Sequence, residues 1–375
     1  MRGGMRIVVA GRAFDVAGQA GASWAVLQYV LGLRELGHDV WLLEPVAQLQ
    51  PETVRTFEAL RAEFQLGDQA ALLVGEGRET VGASFQAVRE ACMSADALLN
   101  LSGVLERSDL LGCFRTRAYV DLDPAFNQLW HASGIDRGFD RHTHHFTVGA
   151  AIGRDGCAIP ACGVDWRHTL PPVVLSRWPA VPPAPAGPVT TLANWRSYGS
   201  IESGGAFYGQ KAHSLRRLVD LPGRSAERFV LALAIHPDEA ADLQALDTGG
   251  WELADPRHVA GTPASYRRFI AGSKAELGVA KDGYVVARCG WFSDRSACYL
   301  ASGRPVLAQD TRLAGALPVG EGLLTFGDTD GALAALAALA SDYEAHAAAA
   351  RGVAEAHLDS RIVLGRLLQE LGGIG

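Results

Sequence analysis

Two successive series of short apolar segments, each alternating with segments of helical periodicity, limit how this chain can fold. The first series starts at residues 6–10 (RIVVA) and the second at residues 189–192 (VTTL). Short apolar strands that alternate with helices are typical of parallel sheets joined by crossover helices. Since 375 residues are also too many for one ordinary core, the sequence predicts an α/β protein with two domains.

A proline-rich segment lies between the two series. Residues 170–188 hold seven of the 17 prolines and end in WPAVPPAPAGP, a stiff extended linker. Alanine-rich segments with leucines at helical spacing close the chain over residues 330–371. We therefore predict four parts, which are an N-terminal domain (1–178), a linker (179–188), a C-terminal domain (189–355) and a final helix (356–375).

Charge and hydropathy argue against several classes of protein. The net charge is -7, whereas binding to duplex nucleic acid needs a basic face, so we expect no duplex nucleic acid as a partner. No apolar stretch reaches about 18 residues, so we expect no transmembrane segment. The N-terminus has a short apolar run that predicts a strand and not a signal peptide. The six cysteines form no CxxC pair and are most simply reduced thiols, which favours a cytoplasmic location.

A glycine-rich loop, GRAFDVAGQAGAS, follows the first strand at residues 11–23. Helical spacing over 24–36 and a second strand over 40–43 complete a βαβ unit. The glycines do not form the GxGxxG dinucleotide fingerprint. We keep the weaker prediction that Gly18 and Gly21 lie near a diphosphate or an acceptor.

Residues 285–310 predict a strand, a tight loop, a helix and a second strand. Val285–Ala287 is the expected first strand, and Ser293 and Asp294 are N-cap residues for the helix that follows. Gly303 suits the left-handed position after that helix. A loop between a strand end and a helix N-terminus directs several backbone N–H groups at one point, which favours a phosphate there.

Three segments together resemble nucleotide-sugar-dependent glycosyltransferases of the GT-B fold, in particular bacterial members of the group 1 and group 4 type. AGASWAVLQYVLGLRELGHDV resembles their glycine loop, first helix and second strand, and CGWFSDRSACYLASGRPVLAQD resembles their donor-binding signature. LPVGEGLLTFGDTDGALAALAAL resembles their closing helices. The resemblance spans nearly the full chain. It implies two Rossmann-like domains that face each other across a cleft, and a C-terminal helix that returns to the N-terminal domain.

The resemblance also implies which residues contact the donor. Lys211, at a helix start, resembles the phosphate-binding lysine of bacterial members, and Arg196 precedes it in the same loop region. The other expected donor-binding residues belong to the signature and the loop after it: Gly290, Trp291, Ser293, Asp294, Arg295, Ser296, Asp310 and Thr311. Structural roles are the alternatives for several of these residues, because Trp291 can be a core aromatic, Ser293 and Asp294 a helix cap, and Arg295 the partner of a carboxylate.

The signature departs from both branches that it resembles. The paired glutamates of retaining members would stand at Gly290 and Cys298, and the ribose-binding glutamate of inverting members would stand at Ser296. The stereochemical outcome of the reaction therefore stays open. Asp294 is the only carboxylate inside the loop and helix, so we expect it to hold the ribose or the sugar if a carboxylate does so.

Asp123 and His145 are the candidate catalytic residues. Asp123 follows a strand predicted at 117–120, and the carboxyl ends of strands border the ligand crevice of an open parallel sheet. It is a candidate for the acceptor base. His145 resembles in position a histidine that lines the cleft of many retaining members. Its neighbours His142 and His144 would lie on the other strand face, so the histidines do not predict a metal site.

The leading interpretation is a hexosyltransferase. It would move a hexose from a nucleotide diphosphate sugar, UDP- or dTDP-linked, to a hydroxyl acceptor, with no metal and no other cofactor. One alternative is a nucleotide-sugar epimerase or hydrolase on the same fold. Another is a catalytically inactive GT-B-like binding subunit, since the paired glutamates are missing.

Overall fold

The structure is a computed structural model and describes residues 4–372. Its frame is two sheets, one in each half of the chain, and a separate two-stranded hairpin. The strands of the N-terminal half are β1 (Arg6–Ala10), β2 (Asp39–Val46), β3 (Ala70–Val74), β4 (Thr80–Gly82), β5 (Ala97–Leu101), β6 (Arg117–Asp121), β7 (His144–Thr147) and β8 (Arg167–His168). The strands of the C-terminal half are β9 (Val189–Asn194), β10 (Ile201–Ser203), β11 (Ala206–Tyr208), β12 (Phe229–Ala234), β13 (Glu252–Ala254), β14 (Ala275–Gly278), β15 (Val306–Gln309) and β16 (Leu323–Phe326).

Helices connect the strands in both halves. In the N-terminal half they are α1 (Ala20–Glu35), α2 (Pro51–Glu63), α3 (Phe85–Ser94), α4 (Ser108–Leu111) and α5 (Phe126–Ala132). In the C-terminal half they are α6 (Lys211–Arg217), α7 (Ala240–Thr248), α8 (Pro256–Ala260), α9 (Pro263–Ala271), α10 (Asp282–Ala287), α11 (Asp294–Ala301), α12 (Thr329–Ser341), α13 (Tyr343–Val353) and α14 (Ser360–Glu370). None of the helices within residues 4–372 has the length and apolar character needed to cross a membrane.

The strand order of each sheet reverses at one point. The N-terminal sheet runs β4-β3-β2-β1-β5-β6-β7-β8 and the C-terminal sheet runs β13-β12-β9-β14-β15-β16. Open α/β sheets bind ligands at the carboxyl ends of strands where the order reverses, which here means beside β1 and beside β9. The residues after β1 and the end of β9 border the same cavity. The two sheets therefore face each other across a cleft, as the sequence predicts.

The last helix returns to the N-terminal half. Helix α14 packs on α1, where a Cβ atom added to Gly32 would lie 2.6 Å from the Cβ of Ser360. The backbone joins the two halves beside this contact, because the N–H of Val173 donates to the carbonyl of Leu358 (2.8 Å). The expected return of the C-terminal helix is confirmed.

The segment before the linker belongs to the interface between the halves. The ring of Trp178 lies 5.0 Å from that of Trp24 on α1 and 6.1 Å from that of Tyr266 on α9, measured between centroids. Residues 179–188 then form no strand or helix. The buried aromatic contact holds the residue that directly precedes the predicted linker.

Two expectations about strands are wrong. Val285–Ala287 lies in α10, and the strand that precedes α11 is β14. The sequence of β14 is AELG, and its Glu276 interrupts the apolar pattern although the side chain is fully buried against Arg295. The sequence of residues 51–95 predicts a mostly helical segment, but this segment also contains β3 and β4. The β3 sequence, AALLV, is rich in alanine and leucine, which favour a helix when judged locally.

Candidate functional site

A cleft of about 460 Å³ lies between the two sheets. Its N-terminal wall is the loop after β1 and the start of α1, and its C-terminal wall comes from several segments of the second sheet. Its lining includes Gly18–Ala22, Ala25, Leu192–Asn194, Ser197, Lys211, Arg257, Tyr266, Lys281, Asp294 and Arg295. The volume is in the range of small-molecule and cofactor sites, roughly 300–1,000 Å³.

Glu44, the sixth residue of β2, anchors the loop after β1. Its buried carboxylate accepts hydrogen bonds from the backbone N–H groups of Ala13 (2.6 Å), Phe14 (2.7 Å) and Asp15 (2.8 Å). Burial raises the pKa of Glu44, and these three bonds oppose the rise. The anchored loop places Gly18 and Gly21 at the cleft wall. That they lie near a diphosphate or an acceptor stays a prediction.

Helix α11 begins at the floor of the cleft. Ser293 is its N-cap and accepts a hydrogen bond from the N–H of Arg295 (3.2 Å). Asp294 is the first residue of the helix and its side chain borders the cleft. Burial raises the pKa of Asp294, although the positive charge of Arg295 acts to lower it. The expected cap is confirmed, and one carboxylate stands at the helix N-terminus.

Arg295 is the best-defined cation of the cleft. Its Nε donates to Oε1 of Glu276 (2.5 Å) and its Nη1 donates to the carbonyl of Leu192 (2.9 Å). Its Nη2 is buried and has no hydrogen-bond partner among the described residues, and the same is true of Oε2 of Glu276. A buried donor without a partner costs about 1–3 kcal/mol, so a ligand oxygen that accepts from Nη2 gains from this arrangement.

Two lysines add positive charge to the same space. Lys211 begins α6, and its pKa is lowered well below the usual value, first by burial and then by the charge of Arg295. Lys281 lies after β14, and burial lowers its pKa as well. Arg257 stands at the rim. These cations repel one another around an open space, which favours a ligand that carries more than one negative charge.

Asp123 lies where the two halves meet. Its carboxylate accepts from Lys281 Nζ (3.2 Å and 3.3 Å) and from the hydroxyls of Tyr198 and Tyr284. Its three partners all come from the C-terminal half. Both oxygens are therefore engaged in a link between the halves, and neither is free for an acceptor in this state. The role of Asp123 as acceptor base stays a prediction.

His145 lies away from the cleft lining. Its Nε2 is bonded to the carbonyl of Phe139 (2.7 Å), and its ring packs 5.8 Å from that of Trp166. Burial lowers the pKa of His145, so the neutral ring suits this packed position. The contacts explain a structural role, and the expected catalytic role has no contact in the cleft that supports it.

The other predicted donor residues do not line the cleft. Arg196 pairs with Glu239 on the surface, outside the cleft lining. Gly290 has a φ of +74° and donates its N–H to the carbonyl of Thr311 (2.7 Å). The ring of Trp291 stacks on that of Tyr284, and the Thr311 hydroxyl donates to the Trp291 carbonyl. Ser296 is buried near Gly278. The Asp310 carboxylate accepts from the N–H of Arg312.

Sequence reasoning missed three residues that shape the cleft: Glu44, Glu276 and Lys281. Glu44 lies near the carboxyl end of β2 and Lys281 lies three residues after β14, and that position was the available signal. Glu276, the second residue of β14, carried no such signal. Metal ligands were not expected, and no group of three or more His, Cys, Asp or Glu side chains within residues 4–372 has a metal-binding arrangement.

Solved structures with similar architecture identify the fold. TarM superposes with a TM-score of 0.63 at 8% identity, over 98% of this chain and 99% of that one. An alpha-glucosyltransferase in complex with UDP-glucose and DNA gives 0.62 at 11% identity, over 98% and 100%. Anabaena HepE, in complex with UDP and glucose, gives 0.60 at 11% identity, over 99% and 100%. The chain therefore has the GT-B fold, as the sequence predicts. No protein-family model and no curated protein sequence matches it.

Proposed function

We propose that this protein is a glycosyltransferase that moves a hexose from a UDP- or dTDP-linked sugar to a hydroxyl acceptor. The observation that carries the proposal is the Arg295 side chain, which lines the cleft together with Lys211 and whose buried Nη2 has no hydrogen-bond partner among the described residues. The similar structures of HepE and the alpha-glucosyltransferase hold UDP or UDP-glucose, which supports a nucleotide sugar as the ligand.

The diphosphate would lie against Lys211, Arg295 and the N-terminus of α11. Glycosyl transfer breaks the bond between the sugar C1 atom and a diphosphate oxygen, so negative charge grows on the leaving group. Fixed cations and a helix N-terminus stabilise that charge. Because these groups supply the charge that a divalent cation would otherwise provide, the proposed reaction needs no metal.

The first experiment measures nucleotide binding. Saturating UDP or dTDP should raise the melting temperature through ligand linkage, in the presence and absence of EDTA. Lys211→Met should weaken UDP binding roughly 10- to 100-fold, since it removes a charge-assisted hydrogen bond to phosphate. Arg196→Met is the matched control, because the Arg196 side chain is committed to Glu239. Equal losses in both variants, or no protection by any nucleotide, would refute the proposed donor site.

A binding subunit without catalysis is the second candidate. The positions of the paired glutamates hold Gly290, whose N–H is bonded to Thr311, and Cys298, whose sulfur accepts from Gln28 Nε2 (3.5 Å). Neither position presents a carboxylate to the donor. Release of UDP from UDP-sugars, followed with and without added alcohols, decides between the two, because a binding subunit would retain UDP affinity and release none.

A further inference from the structure

A second, smaller cavity adjoins the cleft. It has a volume of about 60 Å³ and shares two lining residues with the cleft, Ala25 on α1 and Asp294 on α11. Both halves of the chain contribute to it. The other wall residues are mostly apolar: Tyr29, Leu122, Val148, Pro171, Pro172, Trp291 and Phe292. This chamber therefore opens beside the point at which the donor would end.

Two polar side chains, Tyr29 and Asp294, line the chamber among the apolar residues. The hydroxyl of Tyr29 is buried and has no hydrogen-bond partner in the part of the chain that the structure describes. The pKa of Tyr29 is raised by burial and by the charge of Asp294, so the phenol keeps its proton and remains a donor. Asp294 lines the same chamber, and its carboxylate is an acceptor whose charge acts on the phenol. An unpaired donor and a carboxylate at one small cavity are complementary to a single hydroxyl group.

We propose that the chamber binds the reactive hydroxyl of the acceptor, with Asp294 as its base and Tyr29 as a positioning residue. The inference rests on the proposed glycosyl transfer. Tyr29 donates to the acceptor oxygen, and the acceptor proton passes to the Asp294 carboxylate. The acceptor oxygen forms a bond to the sugar C1 atom, the bond from C1 to the diphosphate breaks, and the nucleoside diphosphate leaves as an anion beside Lys211 and Arg295.

The size of the chamber limits the class of acceptor. At about 60 Å³ the chamber is much smaller than the cleft of about 460 Å³. The small volume favours a hydroxyl on a slim carbon over a tertiary alcohol. The apolar walls favour the CH₂ group of a primary alcohol over a carbon that carries further polar groups. The preferred acceptor is therefore a primary hydroxyl.

The test uses the full chain, a UDP-sugar and methanol as the acceptor probe, with tert-butanol as the oversized alcohol. Formation of methyl glycoside and release of UDP are both measured. Asp294→Asn should lower methyl glycoside formation at least 100-fold, the low end for loss of a general base, while UDP still binds and still raises the melting temperature of the variant. Tyr29→Phe should raise the KM for methanol up to about tenfold with a smaller change in kcat.

Controls separate this inference from the proposed function. Tyr119→Phe removes another buried hydroxyl without a partner that lines neither cavity, so it should change no kinetic constant. Tyr29→Phe should not lower the melting temperature, because the lost hydroxyl makes no bond.

If the wild type binds no nucleotide, the proposed function itself fails. If it transfers to methanol and Asp294→Asn does so equally well, or if Tyr29→Phe alters the donor KM instead, only the chamber assignment falls. If UDP binds and no donor is consumed, the chamber assignment is also overturned and the binding subunit is favoured.

Discussion

The link between Asp123 and Lys281 predicts a measurable coupling between the two halves of the chain. The side chains are 21% and 17% exposed, so water screens the pair only partly. Removing one partner of a fully buried pair costs about 3–5 kcal/mol. Allowing for the remaining exposure, Lys281→Met or Asp123→Asn should each lower the free energy of unfolding by about 2–4 kcal/mol. The tyrosine hydroxyls stay in place and still satisfy part of the carboxylate.

A double-mutant cycle measures this coupling. Urea unfolding of the wild type, both single variants and the double variant should give an interaction free energy of about 1–3 kcal/mol. The double variant should be less destabilised than the sum of the single variants, because it leaves no unpaired charge. UDP binding serves as a second measurement, since Lys281 also lines the cleft.

The same variants test the alternative role of Asp123. If Asp123→Asn abolishes glycosyl transfer but leaves the unfolding free energy unchanged, Asp123 acts as the acceptor base and not as an interdomain link. If all four proteins unfold at the same urea concentration, the reasoning from partial burial is refuted.

Three further predictions concern stability and the cleft loop. The His142 Nε2 accepts a hydrogen bond from Asn100, and burial lowers the pKa of His142 to about 4. Below pH 6.5 the native state therefore binds fewer protons than the unfolded state, and the free energy of unfolding should fall by about 3 kcal/mol between pH 7 and pH 4. Urea titrations measure this fall, which should be smaller in His142→Gln. Gly290→Ala should lower the melting temperature more than Gly153→Ala does, because both glycines have a φ of +74° but a Cβ atom at Gly290 meets a backbone nitrogen at 2.8 Å while Gly153 faces open space. Glu44→Gln should destabilise the protein by about 1–3 kcal/mol in urea titrations and weaken UDP binding, since the amide NH₂ faces backbone donors.

Local chemistry explains what the sequence could predict. Ser293 is the expected cap of α11 and Gly303 takes a left-handed φ of +69°, because both roles depend on residues a few positions away. The two α/β series and the proline-rich linker likewise carry their own signals. The strand β14 could not be predicted from its own sequence, because the buried Glu276 interrupts the apolar pattern. Its charge is compensated by a contact with Arg295, nineteen residues further along the chain.

The difference between local and long-range contacts also explains which residues of the candidate site could be predicted from the sequence. Whether an arginine is free for a ligand depends on carboxylates that are distant in sequence. Arg196 pairs with Glu239 outside the cleft, whereas Arg295 pairs with Glu276 and keeps one Nη group without a partner among residues 4–372. No periodicity or spacing distinguishes the two arginines before the fold is known.

Asp294 and Tyr29 show where local reasoning ends. Asp294 could be selected from the sequence because it is the one carboxylate in a loop and helix whose N-terminus suits an anion. Tyr29 has the spacing of an ordinary core residue of α1, and most of that helix is indeed buried. Its hydroxyl becomes chemically significant only when the two halves dock and α1 lies against α11. The phenol then lines a chamber with Asp294 and has no hydrogen-bond partner in the described part of the chain. A site at an interface forms only when the two halves dock. The sequence can therefore indicate its residues singly, but it cannot show that residues from the two halves lie together.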